Sequence, residues 1–450
     1  MKFVTRIARH VIGRREVMAW AAALSASCVL ANDQIPGDLP AGPVAIVGGT
    51  VYPIDNAPIP QGVVVVEKGS ITAVGPVGQV AVPAGAQVID AKGMNVYPGM
   101  IDAYSDIGLR EIDSVSVTVD HRETGRLNPN VRSWIAVNPD SELIPVARSN
   151  GILTSLVAPS GPMVAGQAGV MRLDGWTWQD MLMLGPAAMI VNWESLDGRG
   201  GGDSEAGRAK AREKRYTELD ELLTGAERYA QRRSEQPDRQ SIDLRQEALV
   251  AVARGELPII AAADRRGTIE GAVAYAAAHR LKLVIYGGHD AAAAAELLVR
   301  HNVPVILPGT FRLPLRQDDP YDAAYTLPTR LHLAGVRFCI AAERSGYPGG
   351  ASNARNLPFH AGNAIAYGLD PAVALRSVTL SAAEILGVAD RIGSLTPGKE
   401  ATLLMVEGDM LDVESQVRYA MIHGRPVDLG NRHSTLYRKY QEKYRRLPKP

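Results

Sequence analysis

Leu257-Pro258-Ile259-Ile260-Ala261-Ala262-Ala263, then Gly267 to His279, then Leu281-Lys282-Leu283-Val284-Ile285-Tyr286, then Ala291 to His301, then Val303-Pro304-Val305-Ile306-Leu307: this run decides the fold. Short apolar stretches alternate with longer alanine-rich ones of helical length. Strands that alternate with helices pair in parallel, because each crossover helix must pack back on the sheet. Similar short apolar stretches stand at Asn95 to Ala103, Ile152 to Ala158 and Val336 to Ala342. This many units over one long region predict an (β/α)8, TIM-like barrel. A doubly wound open sheet is the competing architecture. No Gly-x-Gly-x-x-Gly follows a first strand, and no glycine pair makes a phosphate loop.

Outward from the barrel the pattern changes at both ends. Residues 43–97 read as strands and tight turns, with Val63 to Val66, the turn Glu67-Lys68-Gly69-Ser70, and Ile71-Thr72-Ala73-Val74. Residues 393–430 form a second patch of this kind. Valine, isoleucine and threonine between glycine turns mean β-structure. The two patches are expected to form one small β-sandwich, since domain termini commonly lie close together. Residues 98–392 are then the barrel, interrupted at 200–250 by a charged helical insertion. Leu219, Leu222, Ala226, Tyr229, Leu244, Ala248 and Val252 recur there at helical steps and are expected to face inward. A basic tail with Tyr437, Tyr440 and Tyr444 occupies 431–450 and either packs on the surface or frays.

The first 31 residues differ from the rest. A basic start precedes the apolar and small-residue run Val17 to Leu30, and Val29-Leu30-Ala31 suits signal cleavage, giving a mature start near Asn32. The chain is therefore expected to be exported, periplasmic or extracellular. Arg14-Arg15 raises twin-arginine export and Cys28 raises a lipoprotein, so the route stays open. The run is short for a membrane span. Of the 2 cysteines, Cys339 sits in an apolar stretch and is expected to be buried and inert.

Lys plus Arg and Asp plus Glu balance at 48 each. The whole chain thus offers no long-range field for nucleic acid or an anionic membrane. No Gly-x-Ser-x-Gly elbow is present, and Ser345 has no evident base beside it, so a serine hydrolase is disfavoured.

Pro98-Gly99-Met100-Ile101-Asp102-Ala103 looks like the first barrel strand of the amidohydrolase superfamily, in its imidazolonepropionase-like branch. Val47-Gly48-Gly49-Thr50-Val51 and Ile89-Asp90-Ala91-Lys92-Gly93 precede it in matching order. Ala147 to Val157, Pro159 to Gly169, Asn353 to Pro358, Ala383 to Gly387 and Gly393 to Lys399 follow. The resemblance covers most of the chain after the leader. It implies hydrolysis of carbon–nitrogen bonds in cyclic amides or peptide-like molecules by a metal at the C-terminal mouth of the barrel. There the ion polarises a carbonyl and lowers the pKa of a bound water.

The family's ligands are His-x-His on the first strand, histidines on middle strands and an aspartate on the last. Here His-x-His becomes Tyr104-Ser105-Asp106, the middle His-Ala-His becomes Ala262-Ala263-Asp264, the next histidine position falls near Gly287 with His289 beyond it, and the last aspartate becomes Glu343. A histidine-based zinc site is not expected. Asp106, Asp264, His289 and Glu343 are the metal candidates, for a hard divalent cation in an oxygen-rich site. Alternatively Asp106, Asp264 and Glu343, with Tyr104 as proton donor or orienting group, perform metal-free acid–base chemistry. A third reading makes the acids relics paired with Arg265, Arg266 and Arg344. His121, His289 and His360 are candidate contacts for a small-molecule substrate. The chain is then either an altered hydrolase or a non-catalytic relative that binds a ligand or partner in the old pocket; self-assembly into a homo-oligomer is open.

Overall fold

A computed structural model describes residues 33–196, 204–235, 241–343 and 350–447. The expected leader lies outside them, as do Arg344 and Ser345.

The chain opens with β1 (Val44–Val51), β2 (Ile59–Glu67), β3 (Ser70–Pro76), β4 (Gln87–Asp90) and β5 (Asn95–Pro98). Eight strands follow: β6 (Met100–Ser105), β7 (Ile152–Val157), β8 (Val164–Arg172), β9 (Leu182–Asn192), β10 (Ile259–Ala263), β11 (Leu283–Gly287), β12 (Val305–Pro308) and β13 (Phe338–Ala341). β14 (Leu403–Glu407), β15 (Gln416–Ile422) and β16 (Arg425–Pro426) close the strand list. β14 hydrogen-bonds antiparallel to β5, so both ends of the chain join in one eight-stranded sheet. Val44, Ile46, Val64, Ile71, Leu403 and Met421 fill its core.

β6 to β13 form the barrel sheet in strict chain order. Period-two alternation sorts its side chains into two layers. Ile260, Val284, Ile306 and Cys339 point into the barrel, while Ile259, Leu283, Val305 and Phe338 face the outer helices. Burial inside the barrel, with the Asp102 charge nearby, pushes the Cys339 thiol up, so it stays protonated and inert. The stretch read as one strand from Asn95 to Ala103 is divided at Gly99. A Cβ there would stand 2.8 Å from Leu153, and the chain passes from the terminal sheet into the barrel at this point.

One departure from a regular (β/α)8 pattern lies between β7 and β9. β8 runs antiparallel to both, where a crossover helix would otherwise connect them. The cover there comes from the short helix Ser133–Ala136, whose Trp134 rests 2.9 Å from the Cβ position of Gly169 and 3.2 Å from that of Gly185. Only glycines allow the indole this approach.

The insertion forms helices Glu205–Glu235 and Leu244–Ala253. Leu219, Leu223, Ala226 and Tyr229 are buried on the first, and Leu249 and Val252 on the second. Leu244, expected to face inward, is 63% exposed instead. Asp243 caps the helix through the Arg245 and Gln246 N–H groups, which puts Leu244 at the first position, outside the contact. The insertion docks through aromatics: the Tyr275 hydroxyl donates to Asp220 at 2.7 Å, and Trp193 donates to the Tyr216 hydroxyl at 3.1 Å.

Candidate functional site

Inward positions two residues beyond the packed barrel interior reach the C-terminal mouth. Ile260 is followed on its face by Ala262 and Asp264; Cys339 is followed by Ala341 and Glu343. Both acids therefore rise at the mouth, where barrel proteins carry their chemistry. Between them stands Arg312, on the loop after β12. Its Nη2 lies 3.5 Å from Asp264 Oδ1 and its Nε 3.9 Å from Glu343 Oε2. All three side chains are largely shielded, with exposures of 17% for Arg312, 35% for Asp264 and 13% for Glu343. The positive charge shared by two mouth carboxylates is a guanidinium of the chain itself.

Asp106 sits apart from this pair in its contacts. It is fully buried and meets Arg110 Nε at 3.2 Å. Arg110 also reaches Asp113 at 3.2 Å and the His121 ring at 3.3 Å. His121 thus belongs to the Asp106–Arg110 group. His289 presents its N–H to Asp264 Oδ1 at 3.2 Å, but its ring Nε2 meets Asp319 at 2.9 Å. Asp319 also accepts the Leu315 and Arg316 N–H groups, and Arg316 pairs with Asp290. Burial pushes Asp319 up, but these donors outweigh it and hold the carboxyl below its usual range.

Tyr104 is buried at 4% exposure and stacks on Tyr286 of β11, with ring centroids 3.6 Å apart and planes at 15°. Its ring helps fill the barrel interior. Asp102, two residues earlier, works at the seam between the first and last strands. Its Oδ1 accepts the Ala342 N–H at 3.0 Å. Burial pushes Asp102 up to about 6, partly offset by the Ala342 and Tyr104 N–H groups.

His360 is buried behind the loop that carries Arg312. Its Nδ1 accepts the Thr310 N–H at 3.1 Å, and the Thr310 hydroxyl donates to the His360 carbonyl at 3.1 Å. Burial lowers its pKa to about 4, so the imidazole is neutral and can act as that acceptor. Gly309 permits the arrangement, since its φ is +71° and a Cβ would stand 2.8 Å from the ring. His360 is a strut for the Arg312 loop.

Of the arginines expected to neutralise the acids, Arg266 turns elsewhere. Arg266 pairs with Glu270 at 2.7 Å, and the Arg265 N–H donates to Glu194 at 3.3 Å. Arg344 lies outside the described residues. Among the described residues Arg110 pairs with Asp106, and Arg312 with Asp264 and Glu343, from loops whose contacts the sequence order of the strands does not reveal.

The chain's residues 327–427 match the amidohydrolase family model. These residues run from the helix before β13 through β16. The curated relative Amidohydrolase tasK of Hapsidospora irregularis is 24% identical over 413 residues, 83% of this chain and 41% of that protein. An adenine deaminase of Rubrobacter xylanophilus is 36% identical over 77 residues, 17% of this chain and 12% of its own length. The chain thus spans less than half of the curated relatives it matches. Among solved structures, an amidohydrolase from Thermotoga maritima superposes with a TM-score of 0.75 at 24% identity, over 86% of this chain and 99% of that one. A prolidase complexed with N-methylphosphonate-L-proline gives 0.53 at 17% identity, with 86% and 99% covered. The chain carries an amidohydrolase family match over residues 327–427 and shares its barrel fold with these proteins.

Among the described residues no group of three or more His, Cys, Asp or Glu side chains is arranged to hold an ion. Ala262 offers no side-chain donor atom, Tyr104 stacks on Tyr286, and Arg312 brings positive charge between Asp264 and Glu343. Gly287 is closed to any side chain. Its φ is +107°, and a Cβ would stand 2.8 Å from Asp264 Oδ1 and 3.1 Å from the Ala263 carbonyl oxygen. We expect Gly287→Ala to cost about 1–3 kcal/mol in denaturant unfolding; an unchanged midpoint would show that this turn relaxes freely.

A cavity of about 680 Å³ opens at the other end of this barrel, among Pro258, Val284, Val303 and Arg337. It lies at the N-terminal ends of β10 to β13. The ionisable side chains described above stand at the opposite mouth.

Proposed function

We propose that this chain binds a small amide- or peptide-like molecule at the barrel mouth without a catalytic metal. The observation that carries the reading is Arg312, placed between Asp264 and Glu343 at 3.5 and 3.9 Å. A guanidinium flanked by carboxylates is complementary to a zwitterion. The ligand's carboxylate takes the arginine fork, and its ammonium takes the acids. The rim adds apolar surface, since Phe311 and Leu313 on the Arg312 loop are 51% and 86% exposed, and Val117 on the loop after β6 is 84% exposed. Charged floor and apolar rim together suit a short peptide or a cyclic amide with one ionised end.

The match of residues 327–427 to the amidohydrolase family model supports a hydrolase class, and the relatives named above are hydrolytic by name. A second reading is therefore hydrolysis of a carbon–nitrogen bond in the same ligand class by a metal-free route. Its candidate acids are Asp264 and Glu343. One experiment separates the two. The full chain, prepared without chelator, is titrated calorimetrically with dipeptides, hydantoins and lactams, and each mixture is followed by mass spectrometry. Saturable binding with intact ligand is the expected result. Release of hydrolysed product would favour the second reading, and absence of both binding and turnover would overturn the site.

A further inference from the structure

The helix Arg432–Arg445 contains no buried residue, although Asn431 and Ser434 cap its start reciprocally. It is anchored at that end, where His433 Nδ1 meets Arg355 Nη1 at 3.1 Å. Its sequence is nevertheless sharply two-sided. At 3.6 residues per turn, Leu436, Tyr437, Tyr440, Tyr444 and Leu447 fall within an arc of roughly 100°. That arc faces solvent, with exposures of 40%, 68%, 49%, 67% and 52% in that order. Arg432, Arg438, Lys439, Lys443, Arg445 and Arg446 lie outside it, with Glu442 the one acid among residues 432–447. The neutral total of the chain conceals this local excess of positive charge.

A 14-residue helix that buries nothing is marginal in water. An apolar stripe this well sorted needs a surface to cover it. We propose that this helix lies on an anionic phospholipid surface. Charge complementarity selects that occupant. A second copy of the chain would bring an equally basic helix into contact, which repels. The stripe's chemistry agrees, because tyrosine is favoured at the boundary between headgroups and acyl chains. Basic side chains bordering an apolar arc are the pattern of helices that rest in the plane of a membrane. Lys443 Nζ lies 5.8 Å from the ring centres of both Tyr440 and Tyr444, at the border between the two faces. No helix among the described residues is long and apolar enough to cross a bilayer, so contact is with the surface.

The test is co-sedimentation of the full chain with equimolar phosphatidylglycerol–phosphatidylcholine vesicles and with pure phosphatidylcholine vesicles. Binding is expected to the anionic vesicles, and it should weaken as salt is raised. The triple variant Tyr437→Ser, Tyr440→Ser, Tyr444→Ser should lose it. Arg445→Gln with Arg446→Gln keeps the stripe and should weaken binding about fivefold per charge removed. Equal binding to both vesicle types, or full binding by the triple variant, would overturn the proposal. So would a concentration-dependent dimer that the triple variant abolishes while vesicles capture nothing, since that outcome assigns the stripe to a second copy. Barrel-mouth ligand binding should be unaffected by these substitutions, which keeps this test independent of the proposed site.

Discussion

Glu400→Ala is expected to destabilise the chain by about 3–5 kcal/mol, the range for removing one partner of a buried ion pair. Glu400 is 8% exposed at the junction between the terminal sheet and the barrel. It accepts from Arg172 Nε at 3.0 Å and Nη2 at 2.8 Å, a two-pronged contact with the end of β8. Arg391 Nε donates to it at 2.8 Å, and His423 Nδ1 lies 3.2 Å away. Burial pushes this carboxyl up, but His423 and the two guanidiniums outweigh burial and hold it well below the ordinary range. Its folded pKa is depressed, so its contribution is fully present above the unfolded value near 4.3 and is lost as pH falls toward the folded value. Urea midpoints for parent and variant should therefore differ widely at neutral pH and converge in acid. Equal midpoints at neutral pH would show the cluster to be screened by water.

Arg312→Met is the second large effect, and it bears on the mouth directly. Methionine keeps much of the side chain's length and removes the charge. The guanidinium between Asp264 and Glu343 is then gone. We expect a loss of about 1–3 kcal/mol in stability, the cost of stranding charged acceptors. Affinity for a carboxylate-bearing ligand should fall roughly ten- to a hundredfold, the equivalent of one charge-assisted contact. The variant should also gain a property. With the positive charge of Arg312 removed, Asp264 and Glu343 offer oxygen donors to a hard cation, so millimolar magnesium or manganese should raise its melting temperature and leave the parent unchanged. A variant with parental stability and affinity would mean that Arg312 is a surface ornament.

The barrel strands were legible because each is a short apolar run followed by a helix-length segment; β7 and β10 to β13 stand within two residues of the expected runs. β8 was not legible. Val164 to Arg172 carries glycines and one glutamine, and its strand character comes from pairing with β9 and from Trp134 above it. The terminal sheet was readable from its turns, and its union across the chain follows from β5 and β14. At the mouth, the acids were visible as substitutions at ligand positions. Their partners were not, because Arg110 and Arg312 sit on loops and a loop's path is fixed by long-range contacts. For Arg312 that contact is His360 holding Thr310, made across 50 residues. His289 shows the same limit: its ring turns to Asp319, 30 residues away, rather than into a ligand set.

In the proposed reading Arg312, between Asp264 and Glu343, leaves no room for a catalytic metal. Elemental analysis of the full chain, purified without chelator and dialysed against zinc, manganese and magnesium in turn, tests this most directly. We expect less than about a tenth of an ion per chain and no change in melting temperature on adding chelator. Near-stoichiometric metal in the parent, lost in Asp264→Asn, would contradict it.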